Sequence, residues 1–286
     1  TFGKITIEST GAYSFVPVLD YNGTVPVITY VVNDGQGAAN STTNGTLTIN
    51  VTPVNDAPKA VNDIATTNED QLLAVTAANG LLANDSDVDS PIAITGFTVG
   101  ILNATVTSGT PGSVIIPNVG TITISADGSY TFSPVLNYAG NVPTILYTVS
   151  DGALTATATL NITVTEVNDV PVANPDVATI LEDGNLVRNA ANGLLSNDTD
   201  ADGDVLNITG FTYPGIGTIP PVIGQPYTMQ DLTDPLNPKA IGTITINANG
   251  SYSFAPAANY SGAVPVITYT VSDGRGGVQT STLAIT

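Results

Sequence analysis

The stretch that decides the fold is residues 138–152, which read Tyr138-Ala139-Gly140-Asn141-Val142-Pro143-Thr144-Ile145-Leu146-Tyr147-Thr148-Val149-Ser150-Asp151-Gly152. It recurs without a gap at residues 21–35 and again at residues 260–274. All three copies keep the first tyrosine, the Val-Pro pair, the second tyrosine and the final Asp-Gly. Recurrence of one supersecondary unit indicates an array of modules. We therefore interpret the chain as tandem copies of one module.

Apolar and polar residues alternate within each copy. Ile145, Tyr147 and Val149 stand at every second position, and the last two are followed by Thr148 and Ser150. Alternation with a period of two residues is typical of a half-buried β-strand. Turn signals such as Asp127-Gly128 stand between neighbouring strands. Many short strands with frequent turns predict an all-β chain built from β-sandwich modules of the immunoglobulin type.

The repeats also predict where the modules begin and end. Residues 3–7 match residues 120–124, which lie halfway along a copy, so the chain starts inside a module. The front strands of that first module are expected from upstream residues or from a neighbouring chain. The predicted segments are the C-terminal half of a module at 1–57 (the half repeat), a complete module at 58–170 (repeat two), and a nearly complete module at 171–286 (repeat three) with an inserted loop at 213–241.

The composition excludes several classes of function. The 286 residues include 24 acids and 5 bases, which gives a formal net charge of −19. Phosphate neutralisation needs clustered Lys and Arg, so no nucleic-acid partner is expected. No apolar run reaches the length of a membrane helix, so no membrane insertion of this segment is expected. The chain has no His and no Cys, which removes imidazole acid–base chemistry and thiol nucleophiles, and we predict that it is not an enzyme.

One acidic cluster recurs in both of the longer modules. Residues 84–89 read Asn84-Asp85-Ser86-Asp87-Val88-Asp89, and residues 197–204 read Asn197-Asp198-Thr199-Asp200-Ala201-Asp202-Gly203-Asp204. Alternate acids on a tight loop can direct several oxygens at one centre, and oxygens are the ligands that Ca²⁺ takes. Without a cation the same carboxylates would repel one another. A solvated acidic loop is the alternative, but the recurrence favours a calcium site.

A second set of candidate ligands lies at the module junctions. Residues 54–58 read Val54-Asn55-Asp56-Ala57-Pro58 and return at residues 167–171 as Val167-Asn168-Asp169-Val170-Pro171. Proline stiffens such a connector, and a plain linker is the alternative interpretation. The predicted metal ligands are Asn55, Asp56, Glu69, Asp70, Asp85, Asp87, Asp89, Asn168, Asp169, Glu182, Asp183, Asp198, Asp200, Asp202 and Asp204. Five further acids stay open, Asp63 and Asp176 as additional ligands, and Asp34, Asp151 and Asp273 as either ligands or turn formers before glycine.

These motifs together resemble the cadherin-like tandem repeats of giant bacterial surface adhesins. The motifs are the Asn-Asp-x-Pro junction, the Glu-Asp pair after it, the Leu-Leu-x-Asn-Asp-x-Asp-x-Asp run at 81–89 and the Tyr-x-Val-x-Asp-Gly ending, and they cover essentially the whole chain. The resemblance implies a calcium-stiffened string of β-sandwiches arranged as an extended rod, secreted and displayed on the bacterial cell surface. Neighbouring repeats of the same chain are the first expected partners.

Three functions remain open from the sequence. The favoured one is a calcium-stiffened stalk or spacer segment of a large secreted bacterial adhesin or cell-surface fibre. The second is a self-assembling extracellular filament or surface-layer subunit, in which copies of the chain complete one another's open strands. The third is a module that binds a surface glycan or a host receptor, with the predicted loop at 213–241 as its candidate site.

Overall fold

The computed structural model describes residues 1–37, 41–214, 221–231 and 239–286. The chain forms two compact units, Thr1–Val164 and Thr165–Thr286. The first unit contains the half repeat and repeat two, and the second contains repeat three. Over the described ranges the regular structure is β-strand, apart from two single-turn 3₁₀ helices at Ala77–Asn79 and Ala190–Asn192. None of the described helices has the length and hydropathy needed to cross a bilayer. The predicted all-β fold is confirmed.

The half repeat consists of three antiparallel strand pairs. Its strands are β1 (Gly3–Ile7), β2 (Tyr13–Pro17), β3 (Gly23–Thr24), β4 (Ile28–Asn33), β5 (Thr42–Leu47) and β6 (Asn50–Val51). Strand β1 pairs with β2, β3 with β6, and β4 with β5. Many large apolar side chains of this segment are exposed, including Leu19 and Val31. The strand pairs within residues 1–57 therefore leave large apolar side chains exposed, and their assignment as half of a sandwich stays a prediction.

Repeat two is a complete β-sandwich. Its strands are β7 (Asp63–Asn68), β8 (Leu73–Val75), β9 (Ala93–Val99), β10 (Leu102–Thr105), β11 (Gly112–Ile116), β12 (Gly120–Ile124), β13 (Tyr130–Pro134), β14 (Gly140–Asn141), β15 (Ile145–Ser150) and β16 (Thr155–Thr165). One sheet has the order β10-β9-β15-β16-β14, with β7 also paired to β16, and the other has the order β11-β12-β13-β8.

Repeat three has the same two-sheet arrangement. Its strands are β17 (Asp176–Ala178), β18 (Leu186–Arg188), β19 (Asn207–Thr212), β20 (Tyr227–Asp231), β21 (Lys239–Ile246), β22 (Tyr252–Pro256), β23 (Ile267–Ser272) and β24 (Val278–Ile285). One sheet has the order β17-β24-β23-β19, in which β17 lies parallel to β24, and the other has the order β18-β22-β21-β20.

The alternation in the sequence accounts for the core of each repeat. Ile145, Tyr147 and Val149 on β15 are fully buried, because successive side chains of a strand point to opposite faces of the sheet. Their counterparts on β23 are also fully buried and are Ile267, Tyr269 and Val271. Each repeat has one contiguous apolar cluster between its two sheets. The predicted tandem β-sandwiches are confirmed.

The segment 213–241, predicted as an inserted loop, contains a strand. Tyr227 to Asp231 form β20, which pairs antiparallel with β21 and occupies the place that β11 occupies beside β12. Met229 is fully buried, because it stands on the inward face of this strand. The parts of the predicted loop at 215–220 and 232–238 lie outside the described residues. Among the described residues, the segment is thus partly strand and partly loop.

Two glycines place the acidic loops against the rest of each sandwich. Leu81 N donates to Gly128 O at 2.9 Å, so the short helix before the acidic loop of repeat two docks on a hairpin turn. A Cβ atom added at Gly80 would lie 2.2 Å from Gly128 O. Repeat three has the same approach, with Gly193 in place of Gly80. The close contact, rather than an unusual backbone angle, requires glycine at this position.

We expect Gly193→Ala to destabilise repeat three by about 1 to 3 kcal/mol, because the methyl group would force the acidic loop away from the turn. Gly210→Ala is the matched control: a Cβ at Gly210 meets open space, so its effect should stay within about 0.5 kcal/mol. Urea unfolding followed by tyrosine fluorescence measures both. Equal stabilities of the two variants would contradict the assigned role of Gly193.

Candidate metal centre

The acidic loop of repeat two is held by backbone hydrogen bonds to one oxygen of each carboxylate. Val61 N donates to Asp85 Oδ1 at 2.7 Å, and Asp89 N donates to Asp87 Oδ1 at 2.8 Å. Asp56 N, from the junction, donates to Asp89 Oδ2 at 2.8 Å. These bonds fix the orientation of the three carboxylates, and they bring the junction to the loop.

The acidic loop of repeat three repeats this arrangement. Asn174 N donates to Asp198 Oδ1 at 2.7 Å, and Asp202 N donates to Asp200 Oδ1 at 3.0 Å. Asp169 N, from the second junction, donates to Asp202 Oδ2 at 2.7 Å. Two copies with different sequences between the acids thus form the same set of hydrogen bonds.

The junction asparagine of each repeat bonds to the aspartate of the Tyr-x-Val-x-Asp-Gly ending. Asn55 Nδ2 donates to Asp151 Oδ2 at 2.7 Å, and Asn168 Nδ2 donates to Asp273 Oδ2 at 2.7 Å. Backbone N–H groups also donate to the other oxygen of both aspartates. Three segments that are remote in sequence therefore meet at one end of each sandwich: the junction, the acidic loop and the ending.

Several side-chain oxygens in these clusters are buried and have no hydrogen-bond partner among the described residues. They are Asp85 Oδ2, Asp87 Oδ2, Asp198 Oδ2, Asp200 Oδ2 and Asn168 Oδ1. Burying such an oxygen without a partner is unfavourable by about 1 to 3 kcal/mol or more. The same two aspartates of the acidic loop have these oxygens in both repeats, so the arrangement is a property of the repeat rather than a local irregularity.

Burial raises the pKa of the carboxyl groups at the base of each cluster. Desolvation raises the pKa of Asp63, Asp85 and Asp198 above the ordinary value, and it raises that of Asp176 to about 6. The charge of Asp63 adds to this effect at Asp85. A nearby positive charge would reverse these shifts. The clusters thus hold negative charge where the protein's own groups do not favour it.

The aspartates of the two endings show the opposite behaviour. Hydrogen bonds from the backbone of Leu154 and Ala153, and from the side chain of Asn55, lower the pKa of Asp151. The hydrogen bond from Asn168 is the main cause of the lowered pKa of Asp273. These two carboxylates are therefore stabilised in the charged form by the protein itself.

The structure places the predicted Glu-Asp pairs away from the acidic loop of their own repeat. Asp63, at the start of β7, contacts the loop, whereas Glu69 and Asp70 follow the end of β7. A strand of six residues spans about 20 Å. Asp70 Oδ1 accepts from Asn137 N at 3.0 Å, and Asp183 and Asn259 make the same contact in repeat three. Glu69 is buried and Glu182 is exposed. Their assignment as metal ligands stays a prediction.

Asp204, the last acid of the acidic loop of repeat three, is paired with an arginine. Carboxylate oxygens of Asp200, Asp202 and Asp204 lie within 4.8 Å of one another. Arg275 Nη1 lies 3.3 Å from Asp204 Oδ2, and Arg275 Nη2 donates to Glu166 at 3.0 Å. Repeat two has neutral residues at the corresponding positions: Pro91, Ala153 and Pro53. Asp204 is thus the partner of an arginine, and its predicted metal contact remains a proposal.

The residues of the clusters fit a hard divalent cation. They offer carboxylate and amide oxygens only, which are the ligands that Ca²⁺ prefers, and the buried oxygens of Asp85, Asp87, Asp198, Asp200 and Asn168 lack other partners among the described residues. Sequence reasoning left two components of these clusters unassigned. The sequence left Asp151 and Asp273, the aspartates of the endings, open as either metal ligands or turn formers. The alternation of apolar and polar residues along a strand does not show which loops lie together in the folded chain.

The chain is similar to known proteins in sequence profile and in fold. The sequence profile of the bacterial cadherin-like domain matches residues 55–166 and 168–286. The comparison with curated proteins gives no match. Repeats EC22–24 of mouse cadherin-23 align with a TM-score of 0.50 at 13% identity, over 99% of this chain and 82% of that chain. This likeness supports the β-sandwich repeat fold.

Other solved structures align with lower scores. Protocadherin gammaB7 EC3–6, determined as a cis-dimer, aligns with a TM-score of 0.49 at 15% identity, over 100% of this chain and 64% of that chain. An endo-fucoidan hydrolase from glycoside hydrolase family 107 aligns with a TM-score of 0.29 at 16% identity, over 99% of this chain and 37% of that chain. The chain thus spans about a third to two thirds of the length of these proteins, and the scores carry no argument about function.

We expect Arg275→Ala to increase the calcium affinity of repeat three by roughly three- to tenfold, because it removes a positive charge beside the acidic loop. Lys239→Ala removes the same charge from β21 and serves as the control, with unchanged affinity. Calorimetric titration at low ionic strength measures both. An affinity that falls in Arg275→Ala would show instead that Arg275 helps to build the site.

Proposed function

The chain belongs to the family of bacterial cadherin-like domains, and we propose that it serves as a calcium-stiffened stalk or spacer segment of a large secreted bacterial adhesin or cell-surface fibre. The observation that supports the proposal is the set of buried oxygens in both acidic loops that have no hydrogen-bond partner within the described part of the chain. Their recurrence at Asp85 and Asp87, and again at Asp198 and Asp200, supports one cation-binding cluster in each repeat.

The chain's own residues explain how such a cluster would stiffen a repeat. Asn55 and Asp56 bind the junction to Asp151 and Asp89 within repeat two. Asp85 and Asp87 would hold the cation with the oxygens that lack a partner, together with the remaining oxygens around them. A bound Ca²⁺ would supply two positive charges, and the attraction of each neighbouring carboxylate to the cation would outweigh the repulsion between the carboxylates. The junction would then be fixed to the sandwich and could not swing freely.

A structural role agrees better with the chemistry than a catalytic one. The same cluster occurs in repeat two and in repeat three, and a site that recurs from module to module suits a property of the whole array. The sequence has neither His nor Cys, so it offers no imidazole for acid–base chemistry and no thiol nucleophile. We propose no enzymatic activity for this segment, and we propose that it acts outside the cell, where calcium is abundant enough for sites of about 10⁻⁴ to 10⁻³ M affinity.

Chelation tests this function directly. We expect the chain to bind calcium in a calorimetric titration and to gain thermal stability with it, because a ligand of the folded state alone shifts the unfolding equilibrium. Small-angle scattering should show a longer and less variable particle with 2 mM calcium (a concentration chosen on the order of these affinities) than with EDTA.

The double variant Asp85→Asn with Asp198→Asn is the matched control, because it keeps the size of both side chains and one oxygen that can accept from the backbone N–H, but it removes their charge and replaces the other oxygen with an NH2 group. Its scattering profile should be the same in calcium and in EDTA. Wild-type protein with identical melting temperature and scattering in both buffers would rule out calcium stiffening.

The half repeat favours a second candidate function, a self-assembling filament or surface-layer subunit. Strand β4 pairs with β5, but in the described residues it has no counterpart of β9, which pairs with β15 in repeat two. Exposed side chains such as Tyr13 and Val31 add to the open face. An open strand edge of this kind can accept a strand from another chain.

Electron microscopy separates the two candidates. Regular polymers of the purified chain at micromolar concentration would support the filament, because copies would then complete one another's open strand edges. Single particles over the same range of concentration would support the stalk and count against self-assembly.

A further inference from the structure

We propose that two buried tyrosines, Tyr147 in repeat two and Tyr269 in repeat three, are positioning residues of the cation clusters. Each hydroxyl fixes the short backbone segment whose N–H group orients the first aspartate of the acidic loop. The inference rests on the proposed calcium binding and deepens it, because it assigns a residue outside the acidic loop that sets the affinity of the site.

In repeat two a continuous set of hydrogen bonds joins the tyrosine to the acidic loop. Tyr147 Oη lies 2.8 Å from Val61 O and 2.7 Å from Asp63 Oδ2. Val61 N then donates to Asp85 Oδ1 at 2.7 Å, which leaves Asp85 Oδ2 as the oxygen without a partner. Asn84 Nδ2 donates to Asp63 Oδ1 at 3.1 Å and connects the same carboxylate to the loop a second time.

Repeat three contains the same connection with different residues. Tyr269 Oη lies 3.1 Å from Asn174 O and 2.6 Å from Asp176 Oδ2. Asn174 N donates to Asp198 Oδ1 at 2.7 Å, and Asp198 Oδ2 is again the oxygen without a partner. Asn174 replaces Val61, so the role belongs to the backbone of that position and not to its side chain.

The hydroxyl, rather than the ring, is what the cluster requires. Both tyrosines are fully buried on their strands, and a phenylalanine ring would fill nearly the same core volume. The single O–H of Tyr147 faces three acceptors, because Leu81 O also lies 3.5 Å away, at the base of the acidic loop. Without the hydroxyl, the carbonyl of Val61 and the carboxylate of Asp63 would lose their shared donor inside the protein.

The chain provides matched control tyrosines. Tyr138 Oη donates to Asn141 O at 2.7 Å, and Tyr260 Oη donates to Ala263 O at 2.7 Å. Each of these bonds joins two residues that are three positions apart in the sequence. Removal of either hydroxyl therefore tests the general cost of losing one tyrosine hydrogen bond without a change at the acidic loop.

The experiment compares calcium binding by the full chain and four variants: Tyr147→Phe, Tyr269→Phe, Tyr138→Phe and Tyr260→Phe. Calorimetric titration with CaCl₂ should show that each of the first two weakens one cluster by roughly 10- to 100-fold, as expected when a residue that orients a ligand is lost. The other cluster of the same molecule should keep the wild-type affinity. The two control variants should bind as the wild type does.

Calcium release provides a second measurement that does not depend on folding of the metal-free variant. Stopped-flow mixing with a fluorescent chelator starts from the calcium-loaded protein, and Tyr269→Phe should release one ion roughly 10- to 100-fold faster. A purely structural tyrosine would lower the urea midpoint of the metal-free protein but leave the affinity and release rate of calcium unchanged.

The outcomes distinguish the two proposals. Wild-type protein that binds no calcium overturns both the proposed function and this inference. Calcium binding by the wild type with unchanged affinity and release in Tyr147→Phe and Tyr269→Phe overturns the inference alone. Equal weakening by the control variants, or of both clusters by one substitution, also overturns it, because the effect would then be general destabilisation.

Discussion

One constraint shapes the cluster of each repeat: carboxylate oxygens are buried away from water without a partner among the described residues. In Asp85 and in Asp198, one carboxylate oxygen accepts a hydrogen bond from a backbone N–H group and the other oxygen is buried. Burial raises the pKa of both carboxyl groups. A fold that only needed polar loops would expose these groups to solvent, since desolvation of a charge without a partner is unfavourable. Their retention at the same place in both repeats is understandable if a cation completes them.

The position of the cluster follows from the sandwich. Each acidic loop begins at a 3₁₀ turn that docks through Gly80 or Gly193 on a hairpin turn, and each ending follows the central strand that carries the buried tyrosine. The junction asparagine donates a hydrogen bond to the aspartate of the ending in each repeat. Stability of the apolar core therefore fixes the loop, and the loop in turn holds the junction. The packing of the apolar core and the charge of the acidic loop therefore depend on the same few residues, which come from distant parts of the sequence.

The sequence predicted the architecture more completely than the cluster. Alternation along β15 and β23 specified strands and their buried faces, because the period of a strand is a local property. The recurrence of Asp85 and Asp198 identified the acidic loop for the same reason. The partners of that loop could not be read locally: Asp151 was open between ligand and turn former, and only the folded chain brings it to Asn55.

Two other differences have physical causes of the same kind. The segment 213–241 was predicted as a loop because it is longer than its counterpart, yet Tyr227 and Met229 alternate with polar residues and form a strand.

The clusters of repeats two and three also differ in their charged residues. Glu166, Asp204 and Arg275 form a charged group in repeat three, and neutral Pro53, Pro91 and Ala153 replace all three together in repeat two. The buried oxygens of the acidic loop occur in both repeats while this charged group does not, so the hydrogen bonds that the two repeats share are formed without it.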